Sequence, residues 1–389
     1  MKADIAIIGG AGHIGLPLGM LFAAKKKKVI LYDKDSINLN KISNGQMPFL
    51  EKGGDEFLKK NKKKLFTSQN RKDLKDVKIL IVCIGTPVKK SKPDLKFFFK
   101  LFKQIKPYIT PDKLLVIRSS IYPGTINEIQ KYLGKNFKNI SYCPERVVQG
   151  NSIIELPKLP QIVSGLNPKS IKLSKNLFKM ICKKIIVTTV LEAELIKLFS
   201  NAWRYINFSI ANQFHDICEN FNINFSQLRK NMIDGYDRNK EIPKAGFAAG
   251  PCLYKDTAQL NTFLKNSFTL GIAATNINQN FPKKIYLKLQ KKFGLKLKNK
   301  SIGILGVAFK SEIDDTRDSL AIKLYNLLKR KKLKVNISDE YVKMKNIIDK
   351  KKLIKKSEIL IIGAPHKSYK DIYIPKNKYL IDTWGFREK

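Results

Sequence analysis

Cysteine is scarce in this chain. The five residues Cys83, Cys143, Cys182, Cys218 and Cys252 are scattered over 389 positions and never form a Cys-x-x-Cys pair. That spacing excludes a disulfide scaffold and a zinc ribbon, and predicts a reducing compartment with no bound metal. Arginine is scarcer still for so basic a protein, supplying nine of the 75 Lys and Arg residues against 32 acids, with a formal net charge of +43. Proteins that read nucleic acid gather arginine with exposed aromatics, whereas lysine runs such as Lys25–Lys28 and Lys59–Lys64 fall where helix ends and loops are expected. The charge therefore reads as a solvated surface that attracts polyanionic small molecules, with no nucleic-acid partner. Long apolar runs are missing too. Ile79–Ile84 and Ile359–Ile362 fall far short of the ~20 residues that span a bilayer. The opening MKADIAIIGG runs straight into a turn where a signal peptide would need a longer apolar stretch. A cytoplasmic protein with no membrane partner is expected.

What the chain has in quantity is hydrophobic residues, 43% of the total, enough at ~100–200 residues per domain for two or three domains with ordinary cores. The N-terminal pattern is a strand at Asp4–Ile8, the loop Gly9-Gly10-Ala11-Gly12-His13-Ile14-Gly15, an apolar helix, and a second strand, Val29–Tyr32, ending at Asp33. In that βαβ setting Gly10-x-Gly12-x-x-Gly15 reads as a dinucleotide fingerprint. Its first glycine permits the tight turn, the second lets a pyrophosphate approach the backbone, and the third allows close packing of helix on strand. The pyrophosphate would sit at the helix N-terminus. Asp33, 18 residues after Gly15, stands where an acid binds the adenosine ribose hydroxyls and repels a 2′-phosphate, so NAD is favoured over NADP.

Further strands are predicted at Ile79–Ile84, Leu114–Arg118 and Asn139–Cys143, each ending in a polar or turn cluster: Gly85-Thr86-Pro87, Ser119-Ser120 and Pro144-Glu145-Arg146. Ligands of an open parallel sheet bind beyond the carboxyl ends of its strands, which is where these clusters fall. From Glu192 to Asn220 the period becomes 3.6, with Leu195, Leu198, Phe199, Ala202, Ile206, Ile210, Phe214 and Ile217 forming an apolar stripe on one long helix. Lys197 and Asn201 lie off that stripe as neighbours one turn apart. Spacing alone leaves two readings, a solvent-exposed pair or a pair pointing together into a cleft, and favours the first. After a loop at 235–256, helices are predicted near Thr257–Leu270 and Ile272–Phe293. A second α/β pattern follows: strands at Ser301–Leu305, Lys334–Ser338, Glu358–Gly363 and Tyr379–Asp382, and a helix at Leu320–Leu328. Its first turn has Gly303-x-x-Gly306 in place of the full fingerprint, so no second dinucleotide is assigned.

One cysteine differs from the rest by its neighbours. Cys252 closes the glycine-rich loop Ala245-Gly246-Phe247-Ala248-Ala249-Gly250-Pro251 and precedes Lys255-Asp256. A thiol beside a cation is favoured as the nucleophilic thiolate; the other four read as small buried hydrophobes.

These motifs, with Gly306-Val307-Ala308-Phe309-Lys310 and Asp315-Thr316-Arg317-Asp318-Ser319, occur in the order found in the UDP-glucose/GDP-mannose dehydrogenase family, which the chain resembles over essentially its whole length. The resemblance implies an N-terminal Rossmann NAD-binding domain over 1–190, a central long-helix all-α domain over 191–297 and a C-terminal Rossmann-like α/β domain over 298–389 that binds the UDP-sugar. It also implies a four-electron oxidation of a nucleotide-sugar C6 alcohol to a carboxylate, using two NAD+ and a cysteine-linked intermediate. Cys252 would add to the C6 aldehyde; Lys197 and Asn201 would stabilise the oxyanion; Asp256 and Glu145 would transfer protons or activate water, and Ser120 would position that water. Gly10, Gly12, His13, Ile14, Gly15, Asp33, Thr86 and Ser119 would hold NAD. Arg146, Lys255, Arg238, Lys310 and Arg317 would bind the nucleotide sugar. A homodimer or higher homo-oligomer is implied, with Arg238 reaching the partner's site.

Two departures bear on the sugar. Cys143-Pro144-Glu145-Arg146-Val147 stands where UDP-glucose members tend to read Asn-Pro-Glu-Phe-Leu, and Trp384 of Ile381-Asp382-Thr383-Trp384-Gly385 stands where they often carry arginine. Both resemble the UDP-N-acetylhexosamine branch, whose N-acetylmannosamine substrate is favoured here over UDP-glucose. Ala248-Ala249-Gly250-Pro251 departs from the usual Gly-Gly pair of both. Other classes explain less. A 3-hydroxy acid dehydrogenase leaves the cysteine loop and second α/β domain without purpose, and a non-catalytic NAD-binding or nucleic-acid-binding protein leaves Cys252, Lys197 and Asn201 unexplained.

Overall fold

The computed structural model describes residues 3–86, 88–89, 92–93 and 96–387; Pro87 of the Gly85-Thr86-Pro87 turn lies outside them. The chain divides into two compact units, 1–200 and 201–389, and the division falls within the helix Val190–Asn220.

The first unit is built on β1 (Ile5–Ile8), β2 (Val29–Tyr32), β3 (Leu65–Ser68), β4 (Ile79–Val82), β5 (Leu114–Ile117), β6 (Ile140–Tyr142), β7 (Gln161–Gly165) and β8 (Ile185–Val187). They form one sheet in the order β8-β7-β6-β5-β4-β1-β2-β3. From β3 to β6 every pairing is parallel, and the order 3-2-1-4-5-6 is that of a dinucleotide-binding Rossmann sheet. β7 pairs antiparallel to β6 and β8 parallel to β7, so these two strands run against the rest. The expected strands of this unit are present. β3, β7 and β8 were not marked by the sequence pattern, because β3 is half-buried throughout and β8 is largely exposed.

Helices on both faces explain why the central strands are uninterrupted apolar runs. Successive side chains of β1 point to opposite faces. Ile5 and Ile7 pack with Leu18 and Phe22 of α1 (Gly15–Ala24), while Ala6 and Ile8 join Phe98, Phe102, Ile126 and Ile129 on the other side.

In the second unit, β9 (Ser301–Leu305), β10 (Lys334–Ser338), β11 (Ile359–Ile362) and β12 (Tyr379–Ile381) form a parallel sheet in the order β10-β9-β11-β12. Ile302 and Ile304 pack against Phe281, Ile285 and Leu289 and against Leu320, Leu324 and Leu328. Leu305 and Leu360 pack on Leu353 and Tyr369 on the opposite face.

The long helix, α2 (Val190–Asn220), divides its apolar stripe between buried and exposed positions. Its buried residues mix polar Glu194, Lys197, Asn201, Ser209 and Asn212 with apolar Ala193, Leu198, Ala202, Tyr205, Ala211 and Cys218. Much of the expected apolar stripe is solvent-exposed: Phe199, Ile210, Phe214 and Ile217, together with Trp203, which is 59% exposed. Leu198 and Ala202 of the stripe are buried, so the helical period holds while the stripe is only partly covered by the chain itself. The next helices are α3 (Leu253–Phe263) and α4 (Thr269–Phe293). They differ from the expected bounds because the chain turns out of helix at Lys265 and Asn266, both in the left-handed region.

Candidate active site

The glycine loop follows β1 and leads into α1, and its three fingerprint glycines are small for different reasons. A Cβ on Gly10 would lie 2.7 Å from the Leu31 Cα of β2, and one on Gly15 would overlap the Gly9 carbonyl. At Gly12, among the described residues, the only neighbour within reach of a Cβ is the Gly9 oxygen, at 3.5 Å. Packing therefore demands glycine at 10 and 15. At 12 the protein leaves room, which is the cradle a pyrophosphate at a helix N-terminus requires. The Asp33 carboxylate accepts the Ala11 amide at 3.1 Å and the Asp35 amide at 3.1 Å, one on each oxygen. Each oxygen has two acceptor sites, so both retain one for ribose hydroxyls. The donor set and the cradle thus fit NAD. His13 lies 4.0 Å from the Phe49 ring, centroid to centroid, and 3.3 Å from the Gln149 amide; Ile14 occupies the N-cap of α1.

Two strand ends beside this loop are joined by side chains. The buried Thr86 hydroxyl donates to the Ser120 carbonyl, and the Ser119 hydroxyl donates to the Val82 carbonyl. Farther along the sheet, Glu145 is fully engaged. One of its oxygens accepts the amides of Arg146 at 2.7 Å and Val147 at 3.0 Å, and the other accepts from the buried Arg118 guanidinium. Arg118 also donates to Cys143 O and, at 2.9 Å, to Gln161 Oε1, and stacks 4.9 Å over the Phe178 ring. Arg146 donates to the Pro160 carbonyl. The sequence reading assigned Arg118 no role, although an arginine ending an apolar strand in an arginine-poor chain was a visible signal. Glu194 of α2 accepts the Gly124 amide at 2.7 Å and the Ile126 amide at 3.2 Å, capping the helix that follows Ser119-Ser120. Burial pushes its carboxyl up to about 7, with those amides opposing the shift. Lys197 lies one turn on and is only 9% exposed, so the solvent-exposed reading of the Lys197 and Asn201 pair fails on burial.

In the second unit, Asn201 and Asp256 come together: the Asn201 amide donates to Asp256 Oδ2, both residues being buried. Asp256 Oδ1 is buried without a hydrogen bond among the described residues, and the Lys255 ammonium lies 3.6 Å from it. Asp256 and Cys252 share the first turn of α3, where the Asp256 amide donates to the Cys252 carbonyl at 2.9 Å. Cys252 is the N-cap residue and the exposed cysteine, placed where unpaired helix amides favour negative charge. Burial pushes the Cys83 and Cys143 thiols up to about 12 and Cys182 up to about 11, which keeps them protonated and inert. Arg317 lies within electrostatic range of Cys252. Its guanidinium grips Asp315 through both oxygens, with Nε at 2.9 and 3.0 Å. Arg238 sits on a short turn 5.9 Å from the Tyr236 ring.

The cysteine loop is fastened by side chains the sequence reading passed over. Asn212, fully buried on α2, accepts the Gly246 amide at 2.8 Å and donates to the Gly246 carbonyl at 3.1 Å. It also donates to Asn278 of α4, which in turn donates to the Tyr205 carbonyl. Gly246 and Gly250 both have positive φ, and a Cβ on them would strike the Trp384 ring and the Phe309 ring. Trp384 thus packs on the loop's backbone. Among the described residues no group of three or more His, Cys, Asp or Glu is arranged to hold a metal, and no helix is long and apolar enough to cross a membrane.

The Rossmann sheet with its NAD cradle defines an NAD-dependent oxidoreductase. The chain belongs to the UDP-glucose/GDP-mannose dehydrogenase family, whose NAD-binding, central and UDP-binding domain models match residues 3–182, 191–280 and 303–389. It is 28% identical over 383 residues to the UDP-N-acetyl-D-mannosamine dehydrogenase of Pyrococcus horikoshii, covering 95% of this chain and 90% of that one. It is also 28% identical over 348 residues to the UDP-glucose 6-dehydrogenase of Rickettsia typhi, covering 85% and 79%. A solved structure of UDP-D-ManNAc dehydrogenase from Pyrococcus horikoshii matches with a TM-score of 0.88 at 27% identity, over 95% of this chain and 91% of that one.

Proposed function

We propose that this protein oxidises the C6 alcohol of a UDP-sugar, UDP-N-acetyl-D-mannosamine, to the uronate. The observation that carries the reading is Cys252: an exposed thiol at a helix N-terminus, on a loop fastened by Asn212 and Asn278, in a chain whose buried cysteines are held as thiols. The glycine loop and Asp33 would hold NAD+, which would supply the hydride acceptor for each of two oxidations. Between them the Cys252 thiolate adds to the C6 aldehyde to give a thiohemiacetal. Loss of hydride leaves a thioester, and water cleaves it to the carboxylate, returning the thiol. Lys197 and Asn201 stabilise the oxyanion, and Asp256, with one buried oxygen lacking a hydrogen bond among the described residues, moves the proton or activates the water. Ser120 positions that water. Glu145, with every oxygen engaged, serves this chemistry by holding the loop that carries Arg146. Lys255, Lys310 and Arg317 bind the nucleotide sugar, as does Arg238 from a partner subunit.

The choice of N-acetylmannosamine rests on the names of relatives such as the Pyrococcus horikoshii enzyme and on the Pro144-Glu145-Arg146 and Trp384 positions. UDP-glucose is the second reading, favoured by relatives of equal identity that carry that name. A panel of UDP-sugars separates the two: the substrate yields two NADH per uronate formed, and one NADH per sugar, with the aldehyde accumulating, refutes the thioester route. We further infer a cytoplasmic homodimer with the three-domain division at 190 and 297. The exposed side chains Trp203, Ile210, Phe214 and Ile217 on α2 support the dimer. Sedimentation showing an active monomer refutes it.

A further inference from the structure

Asp339 follows β10 as Asp33 follows β2. Its Oδ2 accepts the amides of Val307 at 2.6 Å and Ala308 at 2.9 Å, and its Oδ1 those of Tyr341 at 2.9 Å and Val342 at 3.0 Å. A fifth partner is the His366 ring, whose Nε2 lies 3.2 Å from Oδ2. His366 is 0% exposed, and its ring meets Tyr341 and Tyr369 edge to face at 5.0 and 5.3 Å. On its other side, His366 Nδ1 accepts the Glu312 amide at 3.0 Å, which assigns the proton to Nε2.

Glu312 stands at φ +59, a left-handed conformation that strains a residue with a Cβ. It is held there from three sides. His366 takes its amide, the Lys367 amide donates to its carboxylate at 2.9 Å, and the Tyr341 hydroxyl donates at 3.1 Å. Glu312 is the bend of the loop between β9 and the helix beginning at Leu320, a loop that also carries Phe309, Lys310 and Arg317. The loop is closed on itself by the Phe309 amide donating to the Asp315 carbonyl at 2.9 Å.

We propose that His366 is a positioning residue for nucleoside diphosphate recognition: by bridging Asp339 to the strained Glu312 bend, it fixes the loop that presents Lys310 and Arg317 to the UDP moiety. The proposal rests on the second unit being the UDP-binding one. A residue with no other task than holding the fold would destabilise everything together. A residue that sets this loop loses UDP selectively.

The test measures UDP and NAD+ affinity by calorimetry on the full chain. His366→Phe keeps the ring packing and removes both hydrogen bonds; it is expected to raise the Kd for UDP about tenfold, the cost of one well-placed hydrogen bond, with the Kd for NAD+ unchanged. The KM for the nucleotide sugar rises in parallel while kcat at saturation holds. His366→Gln, which supplies one donor and one acceptor, recovers most of the affinity. Unchanged UDP affinity in His366→Phe, or equal loss of UDP and NAD+ binding, overturns the proposal. If that variant does not fold, Tyr341→Phe, which removes only the hydroxyl given to Glu312, takes its place. A two- to threefold weakening of UDP then supports the proposal, as expected for a part-buried bond, and none overturns it. A wild-type chain that binds NAD+ but no UDP fails the prior reading, and this proposal with it.

Discussion

Asp33 and Asp339 occupy the same place in two sheets, the first residue beyond the strand next to the glycine turn, and they have opposite surroundings. Asp33 receives two amides and keeps acceptor capacity on both oxygens. Asp339 receives four amides and the His366 ring. Burial alone would raise the Asp339 carboxyl, but the hydrogen bond from His366 and the amides of Tyr341 and Ala308 outweigh it and bring it down to about 2. The fold supplies the acid twice, and the neighbours decide whether it is left open for a ribose or closed as part of the framework. Strand order and turn position are therefore poor guides to ligand class, whereas unspent hydrogen-bonding capacity is a good one.

The largest effect separates cofactor binding from bond making. Cys252→Ser should lower uronate formation by about a thousandfold or more, because a hydroxyl is a far weaker nucleophile near neutral pH. NAD+ affinity should be unchanged. Mass-spectrometric detection of uronate at the wild-type rate would remove the thioester mechanism. Next in size is the closed acid. Asp339→Asn should cost about 3 kcal/mol of stability, since an amide cannot accept five donors, with no change in cofactor preference. A lowered carboxyl stabilises the fold above its ordinary value of 3.8 and loses that contribution as pH falls towards about 2, so acid denaturation of the variant should be less steep than that of the wild type in that window. Denaturant midpoints that match those of the equivalent Asp33 variant would erase the contrast. The open acid gives a smaller, selective effect. Asp33→Ser should raise the NADP+ to NAD+ ratio of kcat/KM about ten- to a hundredfold by removing repulsion of the 2′-phosphate, helped by the neighbouring Lys34. An unchanged ratio would mean that Asp33 reads nothing.

This contrast also marks where sequence reading succeeds. The central strands were legible because parallel strands buried on both faces are unbroken apolar runs, and the cofactor loop because its glycines fall at fixed offsets from a strand, a helix and Asp33. The central helix was legible as a helix, but its stripe did not show which polar residues turn inward: Ile210 and Phe214 are exposed while Asn201 and Asn212 are buried. What Arg118, Asn212 and His366 bind was illegible for a related reason. Each is a buried polar residue whose partner lies 25 or more positions away, and neither period nor local spacing carries such a pairing. Glu145 and Asp256 could be named from motifs, but that one has bonds on both oxygens and the other an oxygen with an ammonium nearby and no hydrogen bond among the described residues is settled by neighbours that only the fold supplies.

Glu194 carries the comparison one step further, to a buried carboxylate that has amides and no imidazole. Among the described residues it accepts two amides, from Gly124 and Ile126, and burial prevails, so its carboxyl is raised from 4.5 to about 7, the reverse of Asp339. The stability it contributes therefore has the opposite slope. Below pH 4.5 the group is protonated in both the folded and the unfolded chain. Between 4.5 and about 7 the folded chain keeps a proton that the unfolded chain releases, so stability falls as pH rises, and above that window the loss is complete. The expected total is about 3 kcal/mol, at ~1.4 kcal/mol for each pH unit of that window. Glu194→Gln has no proton to keep. Its stability relative to wild type, measured from urea midpoints at several pH values, should improve steadily from pH 4.5 to 7 and then level off. A difference that stays flat, or moves the other way, would show that the two amides hold Glu194 as firmly as His366 and four amides hold Asp339.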